Sequence, residues 1–339
     1  MEKVLVTGAS GYIALHCIAE LLKNEFAVKG SLRSMNRQEE VKNAIQKEIT
    51  HDNLEFCKLD LSEDEGWDDA VWDCDYVMHV ASPFPLGAPK NENDLIEPAR
   101  EGTLRALRAS KKGGVKRIII TSSQAAIAYG HKDMQKTFTH DDWTDINGPD
   151  VSPYVKSKTI AERAAWDFIN SQEEKTLEMA VINPGAVLGP SLSSDIEGTS
   201  TDLIKKFLTK EIPAVPNIFF NVVDVRDVAK LHVAALKNPN ANGKRFPAMS
   251  HDAIPMLEYA KILNTNGFPQ VTTKTLPDIM VKILALFSSD MKTIKTFLNK
   301  KTKLDNSQTK DILSWEPMPI EKTFIDMGRS VQNILDQRK

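Results

Sequence analysis

The sequence predicts an α/β fold built on a doubly wound parallel sheet, with a smaller, discontinuous second lobe. Three observations carry this. Short apolar runs alternate with longer stretches of helical period through the first half of the chain, the order of repeated βα units. Two of the runs, Tyr76-Val-Met-His-Val80 and Arg117-Ile-Ile-Ile-Thr121, are apolar on successive residues, as strands covered by helices on both faces must be. The first run ends in a glycine-rich turn, Thr7-Gly-Ala-Ser-Gly-Tyr-Ile-Ala14, where a helix has to begin.

Taken in order, the period predicts strands near 3–7, 26–32, 54–59, 75–80, 117–122 and 177–183. Helices fall between them near 12–23, 36–49, 64–72, 92–112 and 153–170. After Asn183-Pro184 the alternation breaks into Gly185-Ala-Val-Leu-Gly-Pro-Ser-Leu-Ser-Ser194, followed by a helical piece near 200–210, and here the second lobe starts. The chain returns to the sheet with Ile218-Phe-Phe-Asn-Val-Val223 and a helix from Val225 to Leu236, then leaves at Asn238-Pro239-Asn240. From 250 to 339, helical segments are separated by prolines at 255, 269, 277, 317 and 319. The dinucleotide-binding core is thus expected over 1–188 and 218–247, and the substrate-binding lobe mostly over 189–217 and 248–339.

Composition narrows the partners. With 339 residues the chain has ample material for a large core, and its 43 basic against 46 acidic residues form no long block of one sign. That excludes a compositional case for nucleic acid or an anionic membrane and leaves small molecules or copies of itself, as a monomer or homodimer. Cys17, Cys57 and Cys74 are widely spaced and odd in number, which suits reduced thiols in the cytoplasm and supplies no metal site. The N-terminus enters a strand at once, without an apolar leader, and no later stretch approaches the roughly 20 apolar residues that span a bilayer.

The turn at the end of the first strand is a cofactor cradle in its sequence context. From Thr7 through Gly8, Ser10 and Gly11 to Tyr12 and Ile13, the backbone can approach a pyrophosphate whose charge sits at a helix N-terminus, while Ala14 permits close helix–strand packing. This is the Rossmann pattern of dinucleotide binding. A site for NAD normally offers an acid to the ribose diol after the second strand; this chain reads Lys29-Gly-Ser-Leu-Arg33-Ser-Met-Asn-Arg37, with no acid from 26 to 38. Arg33 and Arg37 can instead hold a 2′-phosphate by charge-assisted bonds, so NADPH is the expected cofactor. Asp60 and Leu61 follow the third strand, where they meet the adenine edge or cap the next helix. Val80, Ala81 and Ser82 end the fourth strand with small residues where ribose or pyrophosphate passes, and His79 is read as a packed strand residue.

The reacting group is expected at the carboxyl end of the fifth strand. Thr121 and Ser122 lie along the cofactor's path there, with Ser123 and Gln124 beyond them. Tyr154 and Lys158 stand one helical turn apart in Ser152-Pro-Tyr-Val-Lys-Ser-Lys158 and share a helix face. Tyr154 is placed to give a proton to a carbonyl oxygen as its carbon takes a hydride, with Lys158 stabilising the phenolate. A phenol titrates near 10, and a cation at about 4 Å in an effective dielectric near 20 contributes roughly 4 kcal/mol at about 1.4 kcal/mol per unit. The expectation is a phenol brought towards neutral pH even after desolvation removes half of that.

These residues resemble the extended short-chain dehydrogenases/reductases, in the branch of dihydroflavonol reductases, cinnamoyl-CoA reductases and microbial aldehyde or ketone reductases. The resemblance covers nearly the whole chain. Its marks are Thr7 to Ala14, Leu32-Arg33, Asp60-Leu61, His79 to Pro83, Glu97-Pro98 with Glu101-Gly-Thr103, Thr121 to Ser123, Tyr154 to Lys158, Asn183 to Val187 with Gly189-Pro190, and Val223-Asp-Val-Arg-Asp-Val228. It implies Ser123 as the hydroxyl that polarises the carbonyl, Tyr154 as general acid, and Lys158 as tuner of Tyr154 and ligand of the nicotinamide ribose. It further implies that Pro184, Gly185 and Val187 hold the carboxamide side of the nicotinamide, and that Phe84, Gln124 and Val151 line the substrate pocket. Asn183 stands where relatives often carry Arg or His.

Two departures point within the branch. Cinnamoyl-CoA reductases carry Asn-Trp-Tyr-Cys-Tyr-Gly-Lys around the tyrosine, unlike Ser152 to Lys158 here. Plant dihydroflavonol reductases place Asn five residues after the serine, where this chain has Ala128. A general NADPH-dependent aldehyde or ketone reductase remains, with a dihydroflavonol 4-reductase as the alternative. A sugar-nucleotide epimerase or dehydratase is disfavoured by Arg33 and Gln124-Ala-Ala126, and a non-catalytic dinucleotide sensor by the retention of both Tyr154 and Lys158.

Overall fold

The computed structural model describes residues 1–50, 52–83, 91–149, 151–196, 198–250 and 252–338. Seven strands form the central sheet: β1 (Lys3–Val6), β2 (Ala27–Leu32), β3 (Leu54–Lys58), β4 (Tyr76–His79), β5 (Arg117–Thr121), β6 (Glu178–Pro184) and β7 (Lys244–Ala248). Every pair is parallel, and the order is β7-β6-β5-β4-β1-β2-β3. The direction of strand addition reverses between β1 and β4, so the crevice for a ligand lies above their carboxyl ends.

Alternate residues of one strand serve two cores. Val4 and Val6 pack with α1 (Tyr12–Lys23) on one face, where α7 (Val225–Lys237) joins them, whereas Leu5 packs on the other with α4 (Asn93–Lys112). Ile119 and Ile120 divide in the same way. This is why the strands are apolar on consecutive residues. Between them run α2 (Gln38–Gln46), α3 (Trp67–Val71) and α5 (Pro153–Asn170), with α6 (Thr199–Leu208) preceding α7. A third apolar cluster gathers Phe207, Tyr259 and Phe324 from α6 and the helices Met256–Thr265 and Ile320–Gln337, while Leu313 and Trp315 pack into the sheet's own core.

The expected return to the sheet at Ile218–Val223 is not what forms. Phe219–Phe220 pairs antiparallel with Ile254–Pro255, and Val222–Asp224 pairs parallel with Ala186–Leu188, each as a separate two-stranded ribbon. The seventh strand is Lys244–Ala248, beyond α7. Its two charges and Pro247 argue against a central strand, but an edge strand tolerates both. The Val223–Val228 motif closes the junction: Asp224 caps α7 by accepting from the Arg226 amide at 2.8 Å and pairs with the Arg226 guanidinium.

Candidate active site

A cleft of about 1260 Å³ runs over the carboxyl ends of the strands. Gly8, Ser10, Gly11, Tyr12 and Ile13 line it at one side of β1. Gly8 has φ +68°, and a Cβ there would stand 2.8 Å from that of Ala81, so only glycine lets the turn close against the end of β4. No side chain caps α1 and no acid lies in its first turn, which leaves its leading N–H groups for an anion. Thr7, expected in the cradle, does not line the cleft. Its hydroxyl lies beneath, accepting from the Ala81 amide at 3.0 Å and meeting His79 Nδ1 at 3.1 Å, so it ties β1 to β4. His79 is itself buried and packs near Trp67, and burial lowers its pKa to about 3.

Beyond β2, the two arginines part company. Both line the cleft, but Arg37 makes two bonds of 2.8 Å to Glu40, whereas Arg33 is exposed with Asp60 as the acid its field reaches. The acid-free stretch ends at residue 38, and Glu40 is close enough to claim Arg37 at the start of α2. Asp60 and Leu61 also line the cleft, and Asp60 accepts from the Ser62 amide at 2.9 Å and hydroxyl at 2.6 Å, which holds its carboxyl below the usual range. It makes a local turn and does not cap α3. Val80, Ala81 and Ser82 continue the wall, as do Thr121 and Ser122 at the end of β5 and Pro184, Gly185 and Val187 at and beyond the end of β6. At Gly185 the chains approach so closely that a Cβ would meet the Asn221 carbonyl at 2.2 Å. An uncapped helix start, a close-packed glycine turn and the exposed Arg33 guanidinium at the edge of the same cleft together fit NADPH.

The chemistry sits where α5 begins. Ser152 accepts from the Val155 amide at 3.3 Å and Pro153 occupies the first turn, so the helix starts just before Tyr154. Tyr154, Lys158, Ser123 and Gln124 all line the cleft. The Tyr154 phenol bonds to the Ser123 side chain, whose oxygen also accepts from the Ala125 amide at 3.1 Å. Ser122 donates to Glu162 Oε2 at 2.5 Å, and Thr121 meets His232 Nε2 at 2.6 Å, which fixes the end of β5. Asn183 is buried and donates to the Ser123 carbonyl at 3.2 Å and to Glu162 Oε2 at 2.7 Å.

The electrostatics overturn the expectation for the phenol. Burial raises the Tyr154 pKa above 10.0, with the Ser123 bond opposing it. Burial acts on Lys158 in the opposite direction, lowering it from 10.5 to about 8 against the pull of Glu162. The lysine therefore loses its proton before the phenol ionises. Below pH 8 both folded and unfolded chains hold the Lys158 proton and the full cost of burying the charge is present. Between about 8 and 10.5 the unfolded chain binds more protons, so stability rises with pH as that cost is relieved. Lys158→Met is accordingly expected to stabilise the chain at pH 7 by on the order of 2–3 kcal/mol, and by little at pH 10.5. Urea melts at both pH values test this; equal stability of variant and parent at pH 7 contradicts it.

The substrate side is only partly as expected. Gln124 lines the cleft and donates to the Tyr129 hydroxyl at 3.3 Å. Val151 does not line it; the side chain packs against Gly130. Phe84 lies outside the described residues. Ala128 is fully buried near Phe138 and away from the cleft, so it cannot itself read a substrate hydroxyl. Tyr129, Phe220 and Phe297 line the cleft and were not singled out from the sequence. Phe220 and Phe297 sit far from the Tyr154 motif in the chain, and only the fold brings them to it. No group of three or more potential metal ligands occurs among the described residues, nor does a helix long and apolar enough to cross a membrane.

Residues 4–247 match the NAD dependent epimerase/dehydratase family. A cinnamoyl-CoA reductase of Medicago truncatula is 35% identical, over 71% of this chain and 74% of that protein. An uncharacterized oxidoreductase of Saccharomyces cerevisiae is 32% identical over 98% of this chain and 97% of its own. Among solved structures, the yeast methylglyoxal/isovaleraldehyde reductase Gre2 complexed with NADPH superposes with a TM-score of 0.81 at 26% identity, covering 99% of this chain and 100% of the other.

Proposed function

We propose that this chain, which belongs to the NAD dependent epimerase/dehydratase family within the extended short-chain dehydrogenases/reductases, is an NADPH-dependent reductase of aldehydes and ketones. The observation that carries this reading is one cleft lined by Arg33, by the glycine turn and by the bonded pair Tyr154 and Ser123 with Lys158 on the same helix. When bound, NADPH supplies the hydride to the carbonyl carbon. Tyr154 gives the proton to the carbonyl oxygen, and its raised pKa keeps that proton in place at neutral pH, as an acid requires. Ser123 donates a second hydrogen bond to the same oxygen. Lys158 stabilises the phenolate left behind and holds the nicotinamide ribose. Pro184, Gly185 and Val187 bound the nicotinamide, Arg33 takes the 2′-phosphate, and residues 189–217 and 248–339 supply most of the substrate lobe.

The substrate is read from the cleft and from the relatives. Tyr129, Phe220 and Phe297 present aromatic surface suited to carbonyl compounds with few hydroxyls. The likeness to Gre2 and to the Saccharomyces oxidoreductase runs end to end, whereas that to the cinnamoyl-CoA reductase stops short of it, and the motif around Tyr154 departs from the thioester enzymes. The three free cysteines suit a reducing cytoplasm, and a monomer or homodimer is assumed with it. Steady-state NADPH consumption tests the reading. The kcat/KM for methylglyoxal and isovaleraldehyde should exceed those for dihydroquercetin and cinnamoyl-CoA by at least about tenfold, the equivalent of one modest hydrogen bond. A preference for dihydroquercetin moves the assignment to a dihydroflavonol reductase, and a preference for the thioester to a cinnamoyl-CoA reductase.

A further inference from the structure

One turn beyond Lys158 on the same helix, Glu162 is fully buried and saturated with donors. Its Oε2 accepts from Ser122 Oγ at 2.5 Å and Asn183 Nδ2 at 2.7 Å; its Oε1 accepts from Arg245 Nε at 2.5 Å and Trp166 Nε1 at 3.3 Å. Arg245 also donates to the carbonyls of Ala126, His140 and Asp142 and lies 3.8 Å over the Trp143 ring. The pair therefore clamps the segment after Ser123 to β7. A buried ion pair is weak evidence for stability, since an apolar replacement of similar volume is often as stable, so its location calls for another reason. That location is the rear of the reactive wall: Glu162 holds Ser122 directly and reaches the Ser123 carbonyl through Asn183, and its charge acts on Lys158.

We propose that Glu162 is a positioning residue for carbonyl reduction, fixing the Ser122–Ser123 strand end and the Lys158 ammonium relative to Tyr154. This rests on the reductase reading above. Among the described residues, these groups carry charge or face Lys158. Tyr154 and Glu162 flank it on α5, His79 feels it from β4 and is uncharged at neutral pH, Arg245 stands behind Glu162 on β7, and Asp94 of α4 lines the same cleft. With Lys158 near 8 in the empty enzyme, activity should fall as pH rises through the point where the ammonium is lost. Removing the Glu162 charge removes a partner that favours the protonated lysine, so that fall should come at lower pH.

The test is Glu162→Gln. A reduction of kcat by about tenfold or more is expected, with the Kd for NADPH changed by less than about threefold, and with the alkaline limb of kcat/KM shifted down by about one pH unit. The titration of Lys158 in the empty enzyme, followed by NMR of ¹³C-lysine-labelled protein and assigned with Lys158→Arg, should shift by the same amount. If the single variant does not fold because Arg245 is left uncompensated, Glu162→Gln/Arg245→Met removes both charges and should show a smaller shift in the same downward direction, since the Arg245 cation behind Glu162 is lost with it. A folded variant in which neither the limb nor the Lys158 titration moves overturns the proposal and leaves Glu162 a purely structural residue. Should the parent enzyme reduce no carbonyl, the reductase reading fails, and the NMR titration still decides whether Glu162 acts on Lys158.

Discussion

Tyr154→Phe is expected to lower kcat by about 10²- to 10⁴-fold while leaving the Kd for NADPH within about twofold. The substitution deletes one hydroxyl from a side chain that keeps its ring and its place on α5. Cofactor contacts assigned to the glycine turn, Arg33 and Lys158 stay in place. The hydroxyl lost is the one bonded to Ser123, and it holds its proton at neutral pH because burial outweighs that bond. The proton for the product alcohol then has no donor in place, and the partial charge on the carbonyl oxygen loses one of its two hydrogen bonds. Steady-state kinetics together with calorimetric titration of NADPH measure the two quantities separately. Near-normal turnover in the variant contradicts the assignment of Tyr154.

Arg33→Ala is expected to weaken NADPH by about 10- to 100-fold, the equivalent of roughly 1.5–3 kcal/mol for a charge-assisted contact, with NADH almost unchanged. The 2′-phosphate is the only difference between the cofactors, so a residue that reads it must discriminate between them. Arg37→Ala should change NADPH affinity by less than about threefold, because Glu40 already holds that guanidinium through two bonds. Equal losses for NADPH and NADH at Arg33, or a larger effect at Arg37, contradict the division of roles between the two.

Much of this site is legible in the sequence because its parts are local. The glycine turn, the acid-free end of β2 and the Tyr154–Lys158 pair each occupy a few consecutive residues, and a strand before a helix is context enough to place them. What escaped was set by distance along the chain or by burial. The apolar run Ile218–Val223 has the period of a strand but pairs in two short ribbons, whereas Lys244–Ala248, with charges and a proline, completes the sheet at its edge. Arg37 pairs with Glu40, which lies just beyond the acid-free stretch, and Val151, which the resemblance places in the pocket, packs against Gly130 instead. Glu162 stands at the spacing that follows from Tyr154 and Lys158, but its meaning depends on Arg245, 83 residues away. A pairwise attraction between phenol and ammonium leaves out desolvation, which favours the neutral form of each group: burial raises the phenol and lowers the lysine.

Net hydride transfer from NADPH to a carbonyl is tested most directly by isotope transfer. The family takes its name from epimerases and dehydratases, so consumption and label must be followed together. The enzyme is incubated with isovaleraldehyde and NADPH deuterated at C4 of the nicotinamide on the transferred face. One deuterium is predicted at the carbinol carbon of the alcohol for each NADPH oxidised. An alcohol without deuterium, or conversion of a nucleotide sugar with no loss of NADPH and no reduction of any aldehyde, contradicts the account.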